Sequence, residues 1–270
     1  MTADHAAAQA QQPLLRLRGI KKTFGPVQAL TGIDLDIPAG QVTALVGDNG
    51  AGKSTLIKTI AGIWGPTDGE IIWQGKPVRF RSPKDAADAG IATVYQDLAL
   101  ADNLDIVQNM LLGHEVRRYG LLDEIVMEKT AKRVLADMRV TTVRNIRQRV
   151  GSLSGGQRQA IAVAKAVMLD AKLVIMDEPT AALGVSQTRL VLGIIKQLAS
   201  QGIAVLVISH NLADVFRVAD RLAVLYLGRL VSTGPVTDYD TATAVHWMTT
   251  GDGSSRSEDQ PRRTLSEELS

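Results

Sequence analysis

Short apolar segments recur along the chain and alternate with stretches in which apolar residues return every three or four positions. Four segments of four or five residues, rich in Val, Ile or Leu, predict buried strands: Val42–Val46, Ile91–Val94, Leu173–Met176 and Ala204–Ile208. Three of the intervening stretches predict helices: Lys53–Ala61, Gly155–Met168 and Ser186–Ser200. This alternation favours a mostly parallel sheet with helices on both faces.

Two further regions depart from this alternation. Early apolar segments with hairpin-like spacing predict an antiparallel piece beside the parallel sheet: Leu14–Arg18, Ile33–Ile37 and Glu70–Trp73. The region from Asn103 to Val150 has helical periodicity and little strand signal, which indicates a helical insertion over about residues 97–165. The predicted fold class is therefore α/β, with a mostly parallel sheet, an antiparallel β subdomain and an inserted α-helical subdomain.

The two ends of the chain differ in composition from the rest. Residues 1–13 are rich in Ala and Gln, and residues 251–270 are rich in Gly, Ser, Arg and Glu with almost no apolar content. Both compositions predict disordered tails, which leaves residues 14–250 as the folded domain.

Composition and charge exclude several classes of function. The 270 residues are 45% apolar, as in an ordinary globular protein. Lys plus Arg total 30 and Asp plus Glu total 28, and the two signs are interleaved, whereas a nucleic-acid surface clusters its basic residues. No nucleic-acid partner is therefore expected. The absence of cysteine excludes disulfides and thiolate metal sites.

Nothing in the sequence predicts a membrane-spanning segment. The longest charge-free run, residues 197–213, is interrupted by Gln, Ser, His and Asn. The first residues have neither a basic start nor an apolar core, so no secretory signal is predicted. Any connection to a membrane is expected to go through a partner protein.

The strongest chemical motif lies between the first predicted buried strand and the first predicted helix. It has the spacing of a phosphate-binding loop, in which glycines allow tight turns and the backbone N–H groups face phosphate oxygens. The helix N-terminus adds positive potential, Lys53 would reach the β- and γ-phosphates, and the Ser54 hydroxyl would bind Mg²⁺. A plain glycine turn is the alternative, but Lys53 and Ser54 fall in register with the motif. The motif residues are Gly47, Asp48, Asn49, Gly50, Ala51, Gly52, Lys53, Ser54 and Thr55.

Two acidic residues end the buried segment that begins at Leu173. Because the carboxyl ends of parallel strands border a ligand crevice, Asp177 and Glu178 are candidates for that crevice. Asp177 would hold a metal ion through water, and Glu178 would orient or deprotonate the attacking water. The alternative is a solvated acid pair at a strand end, which is a weak explanation beside a phosphate loop.

A second glycine motif, Leu-Ser-Gly-Gly-Gln, lies between these two sites. Its Ser154, Gly155, Gly156 and Gln157 open a predicted helix, so their N–H groups and the helix dipole could meet a phosphate. Ser154 is also a suitable N-cap for that helix. With this order of motifs, the chain from about residue 14 to residue 250 resembles the ATP-binding-cassette (ABC) ATPases.

The resemblance implies further roles for single residues. In that family two cassettes pair head to tail, and the Leu-Ser-Gly-Gly-Gln motif of one closes on ATP held by the phosphate loop of the other. Gln96 resembles the family's glutamine that contacts Mg²⁺ or the attacking water, and His210 resembles the histidine that senses the γ-phosphate. Phe24 resembles the aromatic residue that stacks on adenine, with ordinary core packing as the alternative. The implied ligands are ATP and Mg²⁺.

One stretch departs from the family pattern. After Pro179-Thr180 the family usually has Ser-Ala-Leu-Asp, whereas this chain has Ala-Ala-Leu and then Gly184. The aspartate that helps to link two cassettes is therefore absent. Since Glu178 and His210 are present, ATP hydrolysis is still expected.

The residues ahead of Gln96 indicate a branch of the family. The stretches Pro83–Ala86 and Gly90–Gln96 are similar to those of bacterial monosaccharide importers for ribose, xylose, galactose or fructose. The resemblance implies a homodimer of cassettes on the cytoplasmic face of the bacterial inner membrane, bound to permease subunits through the region Asn103–Gly113. A periplasmic sugar-binding protein would be an indirect partner.

Other functions remain open from the sequence. The chain could serve an exporter or an importer of lipids, metals or amino acids, because the catalytic motifs do not distinguish cargoes. A soluble cassette ATPase of ribosomes or DNA is a second alternative, although such proteins usually carry tandem cassettes or long coiled insertions. A non-catalytic assembly subunit is a third, suggested only by Gly184.

Overall fold

The computed structural model describes residues 12–252. The tails predicted at residues 1–13 and 251–270 lie outside these residues, apart from two residues at the inner end of each. The described strands are, in chain order, β1 (Leu15–Phe24), β2 (Val27–Ile37), β3 (Val42–Val46), β4 (Asp68–Trp73), β5 (Lys76–Val78), β6 (Ile91–Val94), β7 (Arg117–Arg118), β8 (Leu121–Leu122), β9 (Leu173–Asp177), β10 (Ala204–Ile208), β11 (Arg221–Tyr226) and β12 (Arg229–Pro235).

Helices connect most of these strands. They are α1 (Lys53–Ile60), α2 (Pro83–Asp88), α3 (Ile106–Leu111), α4 (Glu124–Asp137), α5 (Gly155–Val167), α6 (Val185–Ser200), α7 (Leu212–Val218) and α8 (Thr241–Thr250). Among the described residues, no helix is both long enough and apolar enough to cross a lipid bilayer.

The main sheet has six strands in the order β12-β11-β3-β10-β9-β6, and only β12 is antiparallel to its neighbour. All residues of β3 and β10 are buried, as expected for parallel strands covered on both faces. All four buried strands predicted from the apolar segments lie in this sheet. The strands β11 and β12, which the sequence pattern had not singled out, complete it.

The parallel pairing brings the carboxyl ends of four strands to one edge. β10 pairs with both β3 and β9, and β9 pairs with β6, all in parallel. The phosphate loop follows β3, Asp177 ends β9, Gln96 follows β6 and His210 follows β10. Residues that are far apart in the sequence therefore converge at one edge of the sheet.

A second, antiparallel sheet has the strand order β2-β1-β4-β5, which confirms the predicted antiparallel piece. Its inward residues, such as Leu15, Leu17 and Leu35, pack into one apolar cluster with α1 and one face of the main sheet. β1 and β2 are longer than the apolar segments that predicted them. Three register shifts between the two strands interrupt the alternation of apolar and polar residues, so the sequence pattern revealed only part of each strand.

The longest regular elements between Gln96 and Ser154 are the helices α3 and α4, which pack against each other and against α5. This region also contains a short hairpin, β7 and β8, that the sequence pattern missed. A two-residue strand is too short to show an alternation of apolar and polar residues, and the residues of both strands are exposed. The limits of about 97–165 for a separate helical subdomain stay a prediction.

Candidate nucleotide site

The phosphate loop wraps around the ammonium group of its own lysine. Lys53 Nζ donates hydrogen bonds of 2.7 Å to the Gly47 carbonyl and 2.9 Å to the Asp48 carbonyl. Gly50 and Gly52 have φ angles of +82° and +106°, a region that glycine adopts without steric cost. The loop is therefore shaped around a positive charge and leads directly into α1.

The loop forms one wall of an open cavity of about 570 Å³. Most of the predicted site residues line it, although they come from four different strand ends. The lining residues are Val27, Gln28, Ala29, Asn49, Gly50, Gly52, Lys53, Ser54, Thr55, Gln96, Asp177, Glu178, Ala181, His210, Leu227 and Gly228. Gly47, Asp48 and Ala51 belong to the loop but not to this lining.

The acidic pair Asp177 and Glu178 lines the same cavity as the lysine. Burial raises the pKa of Asp177 above its usual value, and the neighbouring Glu178 carboxylate raises it further, while Lys53 acts in the opposite direction. Burial also lowers the pKa of Lys53, against the attraction of Glu178, Asp48 and Asp177. Two acids and one ammonium thus share a half-buried space, where an added cation would offset the repulsion between the acids.

Glu178 has an unusual backbone and a specific partner. Its φ angle is +50°, and its N–H donates to the Ile208 carbonyl at the end of β10, with a distance of 2.9 Å. His210 Nδ1 lies 2.8 Å from Glu178 Oε1. The histidine side chain is 70% exposed and the glutamate side chain only 16%. The imidazole is therefore held at the mouth of the cavity by a carboxylate that lies deeper.

The lining contains oxygen ligands suited to a hard cation. Ser54, Gln96 and Asp177 offer a hydroxyl, an amide carbonyl and a carboxylate within the same cavity. Magnesium prefers such oxygen ligands and usually takes only a few from the protein, with substrate phosphates and water as the others. No cluster of three or more His, Cys, Asp or Glu residues that could hold a metal by themselves is found in residues 12–252.

Phe24 lies beside the cavity rather than in its lining. The residue is 40% exposed, and its ring packs edge-on against Trp64, with ring centroids 4.8 Å apart. Lys22 Nζ lies 5.1 Å from the Phe24 centroid. Phe24 is the register partner of Val27, which does line the cavity. Its assignment as the adenine-stacking residue stays a prediction.

The second glycine motif does not reach this cavity within one copy of the chain. The Ser154 side chain accepts a hydrogen bond from the Gln157 N–H, and the Gln157 side chain accepts one from the Ser154 N–H, which caps α5. A Cβ on Gly156 would lie 2.8 Å from Cβ of Gln187, so glycine permits the close contact of α5 with α6. None of Ser154, Gly155, Gly156 or Gln157 lines the cavity.

Several lining residues were not predicted from the sequence. Val27, Gln28 and Ala29 come from β2, and Leu227 with Gly228 forms the turn between β11 and β12. The apolar run Leu222–Tyr226 followed by a glycine could have indicated a strand and a tight turn. Its position beside the phosphate loop could not be inferred, because it depends on the pairing of β11 with β3.

The fold and this cavity together define the class of nucleotide-binding proteins with a phosphate loop, and comparisons with known proteins identify the family. The ABC transporter family matches residues 30–181. The chain is 48% identical over 247 residues to the fructose import ATP-binding protein FrcA of Rhizobium meliloti, covering 89% of this chain and 95% of that protein. The chain belongs to the ABC transporter family.

Two further similarities bear on its architecture. The ribose import ATP-binding protein RbsA 1 of Rubrobacter xylanophilus is 42% identical over 220 residues, which are 82% of this chain but 44% of that protein. The chain thus spans about half the length of that relative. The crystal structure of the ADP conformation of MJ1267, an ATP-binding cassette of an ABC transporter, matches with a TM-score of 0.76 and 26% identity, covering 87% of this chain and 98% of that one.

Proposed function

We propose that this chain is the ATP-hydrolysing subunit of a monosaccharide importer. The observation that carries the ATPase assignment is the Glu178–His210 hydrogen bond of 2.8 Å in a cavity that Lys53 and Ser54 also line. The names of the fructose and ribose import relatives support a sugar as the cargo.

Binding begins at the phosphate loop. Lys53 Nζ is held by the carbonyls of Gly47 and Asp48, so its charge already lies where the β- and γ-phosphates would bind. Loop N–H groups and the start of α1 add donors and positive potential. Ser54, Gln96 and Asp177 would hold Mg²⁺, which when bound neutralises charge on the phosphate oxygens.

Hydrolysis depends on Glu178. Its carboxylate would accept a hydrogen bond from the attacking water and take the proton as the new bond to the γ-phosphorus forms and the bond to ADP breaks. His210 donates or accepts at Nδ1 according to its tautomer, and this contact orients the imidazole. Its other ring nitrogen would then meet the γ-phosphate.

A second copy of the chain completes the proposed site. The N–H groups of Gly155 and Gly156, beside the capping residue Ser154, lie at the start of α5, away from the cavity of their own copy. Placed against the γ-phosphate of a partner copy, they would stabilise its charge. ATP would then favour the closed dimer and ADP the open one, because the two states bind nucleotide with different affinity. If each copy completes the nucleotide site of the other in this way, the two copies form a homodimer with two-fold symmetry.

Permease docking is proposed beside Gln96. The chain neighbours of Gln96, including Tyr95, Asp97 and Leu98, line an apolar cavity of about 290 Å³. A cytoplasmic helix of the permease in contact with this surface and with Asn103–Gly113 would be linked to the nucleotide through Gln96. The chain would then be a peripheral subunit on the cytoplasmic face of the inner membrane, and a periplasmic sugar-binding protein would deliver the cargo.

The cargo can be tested by uptake measurements in a strain that lacks this chain. Uptake of labelled fructose, ribose and xylose is compared with that of a labelled amino acid, after complementation with wild-type chain or with Glu178→Gln. Loss of uptake of one monosaccharide, restored by wild type only, supports the proposal. Unchanged uptake of every sugar together with lost amino-acid uptake contradicts the sugar assignment but leaves the ATPase assignment in place.

A further inference from the structure

An exposed leucine lies in the lining of the nucleotide cavity. Leu227 is 66% exposed, although it is among the residues that line this cavity. Val27, also in the lining, is 61% exposed. The exposure of two large apolar side chains in one cavity indicates a contact with something that is itself partly apolar.

The backbone at Leu227 makes this exposure more informative. Tyr226 pairs with Arg229, so Leu227 and Gly228 form a two-residue hairpin loop. Their φ angles are +41° and +79°, and such turns favour Asn followed by Gly. Leucine therefore adopts a left-handed conformation at a cost in free energy, and exposure gives it no packing in return. A residue that is unfavourable for its own turn, as Leu227 is here, is expected mainly at functional positions.

Gly228 fixes the turn against the phosphate loop and the first hairpin. Its N–H donates to the Ala51 carbonyl at 2.8 Å, and its carbonyl accepts from the Thr31 N–H at 2.8 Å and the Thr31 hydroxyl at 3.0 Å. A Cβ on Gly228 would lie 2.7 Å from the Ala29 carbonyl oxygen. The turn is thus held by contacts to both neighbours, and Leu227 is presented at a defined position.

We propose that Leu227 forms an apolar wall that contacts the ribose and base of the bound nucleotide. The inference rests on the proposed nucleotide site. Lys53, Ser54 and Asp177 supply the cavity with charged and polar groups that attract phosphates and their cation, whereas Val27 and Leu227 are large, exposed apolar side chains in the same lining. A nucleoside triphosphate offers partners for both, since one end is highly charged and the other is a flat, largely apolar ring system.

The test uses the full chain and measures two quantities for Leu227→Asn. Since asparagine suits this turn, the melting temperature without nucleotide is expected to rise by about 1–3 °C. The dissociation constant for Mg-ATP is expected to increase about tenfold, because an apolar contact is lost. Binding of inorganic tripolyphosphate, which has no nucleoside, should not change. If Leu227 had a purely structural role, its substitution would not increase stability and weaken ATP binding at the same time.

Tyr119→Asn is the matched control. Tyr119 and Gly120 form the same kind of two-residue loop between β7 and β8, with φ angles of +53° and +84°. Tyr119 is 93% exposed and does not line the nucleotide cavity. Its substitution should leave ATP binding unchanged. Leu227→Met, which keeps an apolar side chain, should retain most of the ATP affinity.

The remaining outcomes separate the alternatives. If Leu227→Asn leaves ATP affinity unchanged, the proposal is wrong; if ATP-dependent dimerisation then also weakens, the leucine contacts the partner copy instead. Leu227→Gly, which also tolerates this backbone, repeats the test should the asparagine variant not fold. If Lys53→Ala still binds tripolyphosphate normally, the proposed nucleotide site itself is wrong, whatever the result at Leu227.

Discussion

His210 and Glu178 belong to different strand ends, and their side chains meet at 2.8 Å between Nδ1 and Oε1. The contact follows from the register of the sheet, in which Ile208 pairs in parallel with Asp177. The residues that follow each strand are therefore neighbours. The hydrogen bond orients the imidazole, and the glutamate is held in turn by its N–H bond to the Ile208 carbonyl.

Glu178→Gln is expected to abolish most ATP hydrolysis and to leave ATP binding intact. An amide cannot take the proton of the attacking water, and general-base catalysis typically contributes about 10²–10⁴-fold to the rate. The measurement is Mg²⁺-dependent phosphate release, accompanied by size-exclusion chromatography with ATP. The variant should accumulate as an ATP-bound dimer. A variant that remains monomeric with ATP would contradict the proposed head-to-tail site.

His210→Ala tests whether the histidine takes part in hydrolysis. The substitution removes the imidazole with both its contact to Glu178 and its proposed contact to the γ-phosphate, which should lower the rate of phosphate release by about 10²-fold, with little change in the ATP dissociation constant. His246→Ala is a suitable control, because that residue lies on α8 and does not line the nucleotide cavity. Equal rates of phosphate release in the His210 variant and the wild type would show that the histidine has no role in hydrolysis.

The half-buried carboxyl of Asp177 predicts a pH-dependent effect of Asp177→Asn on stability. Its pKa is raised in the folded protein by burial and by Glu178, so the folded state binds this proton more tightly than the unfolded chain does. Asp177 therefore favours folding most at pH below its unfolded pKa, and this contribution is lost as pH rises through the folded value. At neutral pH the charged carboxylate lowers stability.

Asp177→Asn should accordingly raise the melting temperature of the nucleotide-free protein by about 1–3 °C at pH 7. The advantage should shrink as the pH falls, because a growing fraction of the wild-type carboxyl becomes neutral. Thermal unfolding of both proteins at neutral and at lower pH checks the prediction. An advantage that grows on acidification would mean that another interaction of Asp177 dominates.

Gly184→Asp tests the position at which the family motif is broken. Gly184 is the N-cap of α6, with φ −71° and ψ 163°, and a Cβ there would meet no atom within 4 Å. Aspartate fits this backbone and can accept from the first helical N–H groups, so it should raise the free energy of unfolding by roughly 0.3 kcal/mol. Gly184→Ala, which cannot cap, should lower it. Urea unfolding measures both, and a destabilised aspartate variant would exclude simple capping.

The sequence determined the local elements and the chemistry of this protein. The apolar runs at Val42–Val46 and Ala204–Ile208 identified buried strands, because parallel strands covered on both faces need such continuous runs. The spacing of Gly47, Gly52 and Lys53 identified the phosphate loop, because that spacing is imposed by a turn and a helix start that are local in the chain. The order of motifs also identified the family.

Only the tertiary structure decided which residues outside the recognised motifs join the site. β11 and β12 complete the sheet, and their turn brings Leu227 beside the phosphate loop through the pairing of β11 with β3. The same folding leaves Phe24 outside the cavity lining and separates Ser154 from the loop of its own copy. Such distances depend on strand order and register, which are set by long-range pairing and packing, and no local pattern of residues encodes them.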